Sequence, residues 1–598
     1  MADRLADVHR CTPAVQFRFR RFPKSIFRYL AKLCADGGNE AIHRCFSIAR
    51  MYGSTHVLRE KIAIEGFMKE DLENWKRATG KEPESHALRF SFWKTKAGTG
   101  DGLRLDGENI DAKLDQLDLI GYMILEKVGA QRDDDRFRWI VYEAVLDGGE
   151  FQRGIVPRQT TFLFSVGVNG KRRKITGRLY CQQNGVTTVC AHVAIRTLLT
   201  ALLPEGDVSY RQITDYANES SDGLLDMKEG MTSLQLEHVF KKFGFVVHSW
   251  GIPEDRMANE ERNIPVYHCV YSAVESGGGC LLGFFVTRKD DKKPKNAGSK
   301  TVTKTPQHII PLFGHTFNKH IWVNDASGCY FNAASPHDIA AFTSDNWVST
   351  FQGHDDNIGP NIYIPRFFIE KSEVSTVFSI IPVRKEHAVA SGYYNGVDVE
   401  RVAPIWLINY VGAWIRKQCC PDGKSGNMWL QKLLSALPTS NLTTGRVDSL
   451  ASDGGRAKVV LRSLFVQKDE YLKWLEDARD WMGKKECEST VEEIKKVLSE
   501  MEALNKPASF WMVEFSLPHL FPANERKIGE MLFSAVQLGE VRGKEDILLP
   551  LITRIPGYYL SPVLLGTDGN VKLDFDIAES AIVSHTECFE YKRRYRIG

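Results

Sequence analysis

Apolar side chains recur at the three- and four-residue spacing of a buried helix face in the segment that follows Cys190. This periodicity predicts a helix that starts at or just after the cysteine, and the positions on its face are Ala191, Ala194, Ile195, Leu198 and Leu199. A turn-rich stretch precedes the helix. Because the helix dipole and unpaired backbone N–H groups favour an anion, Cys190 is predicted to occupy a position that favours a thiolate.

The pattern in the N-terminal part predicts a mixed α/β region. A helical period is followed by segments of alternating or continuous apolar residues, and the dipeptide Asn169-Gly170 indicates a hairpin turn. The predicted helix spans residues 62–77, the predicted strands span 87–94, 117–128 and 137–146, and the predicted hairpin spans 158–173.

Beyond the cysteine helix, residues 230–245 predict a helix that is capped by Thr232 or Ser233 and ended by Gly244. The runs at 266–271 and 280–287 have the pattern of strands. These elements extend the region around Cys190 into a helix-and-sheet domain.

Residues 308–323 are predicted to form two apolar runs with a turn at Gly314-His315, so that His315 opens the second strand. A short helix is predicted at 336–342. Residues 348–366 then predict strand, turn and strand, with residues 354–357 in the turn.

Composition restricts the class of protein. A chain of 598 residues is too long for one core, so about two to four domains are expected. A net charge of +3 argues against a protein that binds nucleic acid along its whole length. The sequence offers no apolar run of membrane-spanning length and no signal-peptide pattern. Twelve cysteines without a CxxC pair indicate free thiols in a cytoplasmic, reducing setting, and no cofactor or metal ion is expected.

The candidate chemistry is that of a nucleophilic thiol. Such a thiol needs a base within hydrogen-bond reach and a third group that orients the base. The chain supplies Cys190, then His315, then Asp325 or the pair Asp355–Asp356. His308 and His354 are weaker candidates for the base.

Two glutamines, Gln182 and Gln183, precede the cysteine closely enough for one amide to stabilise an oxyanion. Cys181 and His192 are interpreted as structural residues. The residues His354, Asp355 and Asp356 also allow a polar turn, or a metal site for which the neighbouring sequence supplies no further ligand.

At these residues the chain resembles the papain-like superfamily of cysteine peptidases, and within it the bacterial peptidases of the bacteriocin-processing type. The resemblance covers roughly residues 155–370 and rests on Gln183 with Cys190-Ala191, the segment 230–245, Gly314-His315 and the run HDDNIG at 354–359. It implies that Cys190 is the nucleophile and His315 the general base. It also implies that an aspartate on a following strand, Asp356 or Asp355 with Asp325 as the rival, orients the base and that Gln183 or Gln182 completes the oxyanion hole.

The resulting prediction is a multidomain α+β protein. The predicted divisions are a basic N-terminal segment (1–50), an α/β domain (51–154), a papain-like domain with a helix packed on an antiparallel sheet (155–370) and a mostly α/β C-terminal domain (371–598). The predicted function is cleavage of an amide bond in a protein or peptide, with a regulatory protein partner bound through the C-terminal domain. The alternatives are an inactive interaction scaffold and contact of the basic termini with nucleic acid or membrane.

Overall fold

The structure is a computed structural model of the 598-residue chain. It describes residues 15–18, 39–82, 86–97, 109–129, 137–146, 155–157, 161–204, 206–227, 229–251, 266–285, 307–317, 340–371, 374–382, 411, 458–479, 492, 495–496, 498–499, 509–516, 529–534, 550–555, 558–560, 563–567 and 570–574.

The described helices are distributed through the N-terminal two thirds of the chain, with one more in the C-terminal part. They are α1 (Glu40–Met51), α2 (Gly66–Thr79), α3 (Ile110–Leu114), α4 (Cys190–Leu202), α5 (Tyr210–Asn218), α6 (Ser233–Lys242), α7 (Val266–Glu275), α8 (Arg366–Lys371) and α9 (Lys468–Arg479). In the described part of the chain, no helix has both the length and the apolar character that crossing a membrane requires.

Strands make up the larger part of the framework. They are β1 (Val15–Arg18), β2 (His56–Ala63), β3 (His86–Thr95), β4 (Leu117–Gly129), β5 (Phe137–Leu146), β6 (Ile155–Pro157), β7 (Phe162–Val168), β8 (Lys171–Gly177), β9 (Leu179–Tyr180), β10 (Phe245–Gly251), β11 (Cys280–Phe285), β12 (Gln307–Thr316), β13 (Ala340–Thr343), β14 (Thr350–Asp355), β15 (Gly359–Pro365), β16 (Val374–Pro382), β17 (Lys458–Gln467), β18 (Ser509–Ser516), β19 (Gly529–Ser534), β20 (Pro550–Ile555), β21 (Tyr558–Leu560), β22 (Val563–Thr567) and β23 (Asn570–Asp574).

The strands form three large sheets, and the mixture of helices with mainly antiparallel sheets makes the fold α+β. The first sheet has the order β1-β2-β3-β4-β5-β9, and the second has the order β10-β16-β11-β12-β14-β15 with β6 also paired to β12. The third sheet has the order β13-β17-β18-β19-β20-β21, in which β13 and β17 are parallel. Two hairpins, β7–β8 and β22–β23, complete the described strands.

Most sequence-predicted elements of the first half are confirmed. Helix α4 begins at Cys190, the three strands β3, β4 and β5 lie where the alternating or continuous apolar segments predicted them, and Asn169-Gly170 forms the turn between β7 and β8. Thr232 caps α6 through its hydroxyl, which accepts the amide of Gln235. The turn at 354–357 joins β14 to β15 as predicted.

The predicted turn at Gly314-His315 is wrong. Strand β12 runs without interruption from Gln307 to Thr316, because the backbone around Gly314 pairs with Gln352 of β14 and Pro157 of β6. A glycine inside a strand pattern was read as a turn, whereas here it accompanies an irregularity in register between Leu312 and Gly314.

Two shorter predictions are also wrong. Residues 266–275 form helix α7 instead of a strand; every residue of this short helix except Tyr267 is buried, and a short buried segment has a pattern that does not distinguish a helix from a strand. Residues 340–343 form strand β13 instead of part of a helix, because they pair in parallel with β17 of the third sheet.

Helix α4 is held at its first turn by a buried histidine. His192 accepts the amide N–H of Val189 at its Nδ1, and its Nε2 lies 3.0 Å from the hydroxyl of Thr214 on α5. Burial lowers the pKa of His192 to about 4, so the ring is neutral at pH 7. His192 therefore serves structure, as the sequence predicted.

Helix α7 joins the second sheet to the third through buried charges. Glu275 contacts both His315 of β12 and Arg462 of β17, and Arg462 also donates to Glu514 at 2.8 Å. All four side chains are at most 3% exposed. A cluster of this kind is costly to break, because removal of one partner leaves a buried charge uncompensated.

We expect Arg462→Ala to lower the free energy of unfolding by about 3–5 kcal/mol, because Glu275 and Glu514 would lose their shared cation. Urea unfolding followed by tryptophan fluorescence measures this. The matched control is Arg211→Ala, which removes surface pairs with Asp215 and Glu70 and should cost about 1 kcal/mol or less. Equal losses in the two variants would contradict the assigned role of the cluster.

A second prediction concerns acid stability. Unfolding exposes His192, which then binds a proton below its usual pKa of about 6.5, while the folded protein resists protonation down to about pH 4. The stability that neutral His192 contributes is therefore present above pH 6.5 and is lost as the pH falls towards 4, by up to about 1.4 kcal/mol per pH unit. His192→Gln should reduce the slope of the unfolding free energy against pH. Urea titrations at a series of pH values measure this slope. Parallel slopes in the two proteins would refute it.

Candidate active site

Cys190 is the first residue of α4 and is half-buried. The preceding residue, Val189, is extended and caps the helix without a side-chain hydrogen bond. The first backbone N–H groups of a helix have no partner within the helix, so they can stabilise negative charge beside the thiol. The chain thus delivers a thiol directly to a helix N-terminus.

The loop before Cys190 is organised by Asn184. Its carboxamide oxygen accepts the backbone amides of Val186, Thr187 and Thr188 at 2.8, 2.8 and 3.1 Å. The hydroxyl of Thr188 in turn accepts the amide of Asn184 at 2.9 Å. This self-contained turn fixes the approach of the chain to the helix.

His308 stands near the beginning of β12 and faces the end of β14. Its Nε2 lies 3.3 Å from Asp355 Oδ2 and 3.4 Å from Asp356 Oδ1. The thiol of Cys190 is near enough to the His308 ring to raise its pKa. Because Nε2 faces the aspartates, Nδ1 is the ring nitrogen that can face the thiol. The edge of Phe284, at 5.3 Å between ring centroids, packs against the same ring.

The turn that follows β14 holds both aspartates in place. Asp355 Oδ1 accepts the amides of Asn357 and Ile358 at 2.8 and 3.1 Å, which leaves Oδ2 for His308. The buried hydroxyl of Tyr180 donates to the backbone carbonyls of Asp355 and Asp356, both at 3.3 Å. The orientation of the carboxylates is therefore set by hydrogen bonds to the backbone around them.

The electrostatics of the cluster favour a charged imidazole. Burial lowers the pKa of His308, but its hydrogen bonds to Asp355 and Cys190 and the charges of the two aspartates raise it further, to about 10. Burial raises the pKa of Asp355, yet the hydrogen bond and charge of His308 hold it below its usual range. Burial raises the pKa of Asp356 to about 7. At neutral pH the ring is thus an imidazolium beside an ionised Asp355.

His315, the base predicted from the sequence, lies elsewhere. It is seven residues further along the same strand, about 23 Å in extended chain, and its Nε2 contacts Glu275 of α7 while Nδ1 lies 2.7 Å from its neighbour's carbonyl oxygen. The continuous course of β12 separates it from Cys190. The structure therefore corrects the pairing of Cys190 with His315 and brings His308 to the thiol instead.

Two further residues, Asp325 and His354, were candidates for the site. Asp325 lies outside the described residues. His354 packs against the rings of Tyr180 and Phe313, its Nδ1 accepts an amide, and burial lowers its pKa to about 3, so it is not the base.

The two glutamines also differ. The amide oxygen of Gln182 accepts the side chain of Asn39 at 2.9 Å and the backbone amide of Val141 at 3.1 Å. Gln182 is thereby tied to the first sheet and to the start of α1. Gln183 is half-buried, and its carboxamide makes no hydrogen bond to the described residues.

His308 was a weaker candidate in the sequence than His315, and Tyr180 and Glu275 were not among the candidate residues. The signal for His308 was present, because the apolar run from 308 to 313 is itself a strand that starts with a histidine. Nothing in the local sequence marks Tyr180, whose role depends on a contact between residues 175 positions apart.

His308, Asp355 and Asp356 are also the residues of this site that could hold a metal ion. One ligand atom from each lies within 4.8 Å of the others, and all three residues are buried. The histidine comes from another strand, which is why the sequence around residue 354 did not reveal it.

No protein-family model and no curated protein matches the chain. Among solved structures, the crystal structure of the peptidase domain of Streptococcus ComA, a bifunctional ABC transporter involved in a quorum-sensing pathway, is similar with a TM-score of 0.18 and 10% identity. The alignment covers 34% of this chain and 98% of that domain. A similarity at this level carries no argument about function, which must come from the site itself.

Proposed function

We propose that the chain is a cysteine peptidase or related thiol hydrolase that cleaves amide bonds in a protein or peptide. The observation that carries this proposal is the convergence of Cys190, His308 and Asp355 from three separate elements, α4, β12 and β14. A thiol, a base that contacts it and a carboxylate that orients the base are the three parts of a nucleophilic triad.

In this proposal Cys190 is the nucleophile and His308 the general base and acid. His308 takes the thiol proton and, as imidazolium, stabilises the thiolate at the N-terminus of α4. The raised pKa of His308, about 10, supports this form of the ring at neutral pH.

Asp355 orients the base. Its Oδ2 faces His308 Nε2 at 3.3 Å, while its Oδ1 is fixed by two backbone amides. This arrangement holds the proton on Nε2 and turns Nδ1 towards the thiol. The distance is long for a charge-assisted hydrogen bond, as is common for catalytic contacts without a substrate.

The oxyanion would be stabilised by the N-terminus of α4 and by Gln183. Gln183 is the upstream glutamine whose carboxamide is not held by Asn39 and Val141. Preorganised donors of this kind stabilise the charge that develops on the carbonyl oxygen.

The reaction follows from these roles. The thiolate attacks the carbonyl carbon, and the tetrahedral oxyanion collapses when His308 gives its proton to the leaving amine. This breaks the C–N bond and leaves a thioester on Cys190. His308 then removes a proton from water, which attacks the thioester and releases the carboxylic acid and the thiol.

We propose that the region containing α4, β12 and β14 has the fold of a papain-like peptidase. Support comes from α4 packed across β12, with the base on that strand and the acid on the neighbouring β14. A protein or peptide substrate, and a C-terminal region that binds a partner, belong to the same proposal.

The first test is the alkylation rate of Cys190 with iodoacetamide, followed by peptide mass spectrometry. We expect His308→Ala to lower this rate at pH 7 by at least about tenfold, because the thiolate loses its imidazolium. His315→Gln is the matched control on the same strand and should leave the rate within about twofold, since its ring contacts Glu275.

Either of two results would contradict the proposal. If His308→Ala leaves the rate of Cys190 unchanged, or if His315→Gln lowers it as strongly, His308 is not the base. Urea unfolding of both variants shows whether each is folded before the rates are compared.

A second test is turnover of an activated ester. p-Nitrophenyl acetate should give a burst of one nitrophenolate per chain from acetylation of Cys190, followed by steady hydrolysis. Asp355→Asn should slow the steady phase about 10²-fold or more, because the base loses its orientation. Acetylation of Cys190 without turnover in the wild-type protein would show a reactive thiol that is not a hydrolase.

A further inference from the structure

A triad uses one carboxylate, yet two face the His308 ring. Asp356 is only 4% exposed, and neither of its carboxylate oxygens accepts a hydrogen bond from the described residues. Its Oδ1 nevertheless points at His308 Nε2 from 3.4 Å. A buried carboxylate without hydrogen-bond donors is costly, so a cation beside it would be strongly stabilising.

We propose that His308 Nε2, Asp355 and Asp356 bind a divalent transition metal ion, with zinc as the best fit, and that the occupied site silences Cys190. The first part concerns the geometry of three donors. The second part rests on the function proposed above, in which His308 is the base for Cys190.

The two distances from His308 Nε2 fit a tetrahedral ion, and the two carboxylate oxygens lie within 4.8 Å of each other. Ligand atoms about 2.0–2.1 Å from zinc stand about 3.3–3.4 Å apart along the edge of a tetrahedron. His308 Nε2 lies 3.3 Å from Asp355 Oδ2 and 3.4 Å from Asp356 Oδ1. Charge-assisted hydrogen bonds are shorter, about 2.7–2.9 Å. The spacing therefore matches shared coordination better than strong ion pairing.

The donor set also fits the chemistry. One imidazole nitrogen and two carboxylate oxygens suit zinc, and the two carboxylates balance its charge in a buried position. Further hydrogen bonds hold the ligands in place. Asp355 Oδ1 accepts two backbone N–H groups, and the hydroxyl of Tyr180 donates to the backbone carbonyls of both aspartates. Such supporting contacts orient the ligands of known metal sites.

Occupancy would block the proposed reaction at His308. Metal binding at Nε2 displaces the proton from that nitrogen to solvent and leaves the other proton on Nδ1. The ring then has no lone pair for the thiol proton, so Cys190 remains a thiol. Because the metal lies on the opposite ring nitrogen, Cys190 itself is not required as a ligand.

The binding test is equilibrium dialysis of the full chain against ZnCl₂. We expect Asp356→Asn to bind one ion fewer per chain than the wild-type protein, and Cys190→Ala to bind the same number. The matched control is Asp345→Asn, which alters another buried carboxylate 3.0 Å from a histidine nitrogen but also 3.7 Å from Arg366. An unchanged count in folded Asp356→Asn would overturn the site.

X-ray absorption of the wild-type chain with one equivalent of zinc provides a test that needs no variant. Nitrogen and oxygen scatterers at about 2.0–2.1 Å are expected, and a sulfur scatterer at about 2.3 Å would overturn the proposal.

The silencing is tested by the alkylation rate of Cys190 with zinc and then with EDTA. Zinc should lower the rate at least tenfold, EDTA should restore it, and Asp356→Asn should abolish the effect. Inhibition that persists in Asp356→Asn would mean that the thiol binds the metal and would overturn the proposal, as would a rate that bound zinc leaves unchanged. The zinc-free rate of His308→Ala tests the proposed function separately.

Discussion

The pairing of β12 with β14 is the constraint on which the candidate site depends. Leu312 stands opposite Gly353, and the strands approach so closely there that a side chain at Gly353 would collide with the backbone of Pro311. From this point the antiparallel register carries one strand back to His308 and the other forward to Asp355. Helix α4 packs across β12 and carries Cys190 at its first position, so one register brings together His308 and Asp355, the base and acid of the proposed function.

Residues from the N-terminal part of the chain also contact the region around the β14–β15 turn, which carries Asp355 and Asp356. Arg44 of α1 donates to the carbonyls of Pro360 and Asn361, both at 2.7 Å, and Tyr180 of the first sheet donates to the backbone of the two aspartates. The backbone of Gly359 has a φ of +130°, so any other residue would be strained there. A Cβ at this position would also lie 2.7 Å from Cδ of Arg44. The turn that carries Asp355 and Asp356 is thus held by elements far from it in sequence.

Local patterns predicted the elements better than their assembly. The helical period after Cys190 predicted the start of α4, and the polar residues 354–357 predicted the turn between β14 and β15, because both features follow from neighbouring residues. The position of His315 was not predictable in this way, because Gly314 has the pattern of a turn, whereas pairing on both sides keeps it inside β12 and His315 contacts Glu275. Helix α7 has the pattern of a strand for a different reason: it is a short segment buried between two sheets, and the pattern of such a segment does not distinguish a helix from a strand.

The central claim is that Cys190 and His308 share one site, and a bifunctional reagent tests it directly. 1,3-Dibromoacetone alkylates a reactive thiol and then a nitrogen within a few ångströms, which joins the two residues covalently. Peptide mapping of the full chain should show Cys190 linked to His308. A link from Cys190 to His315, or a thiol adduct that finds no histidine, would contradict the account.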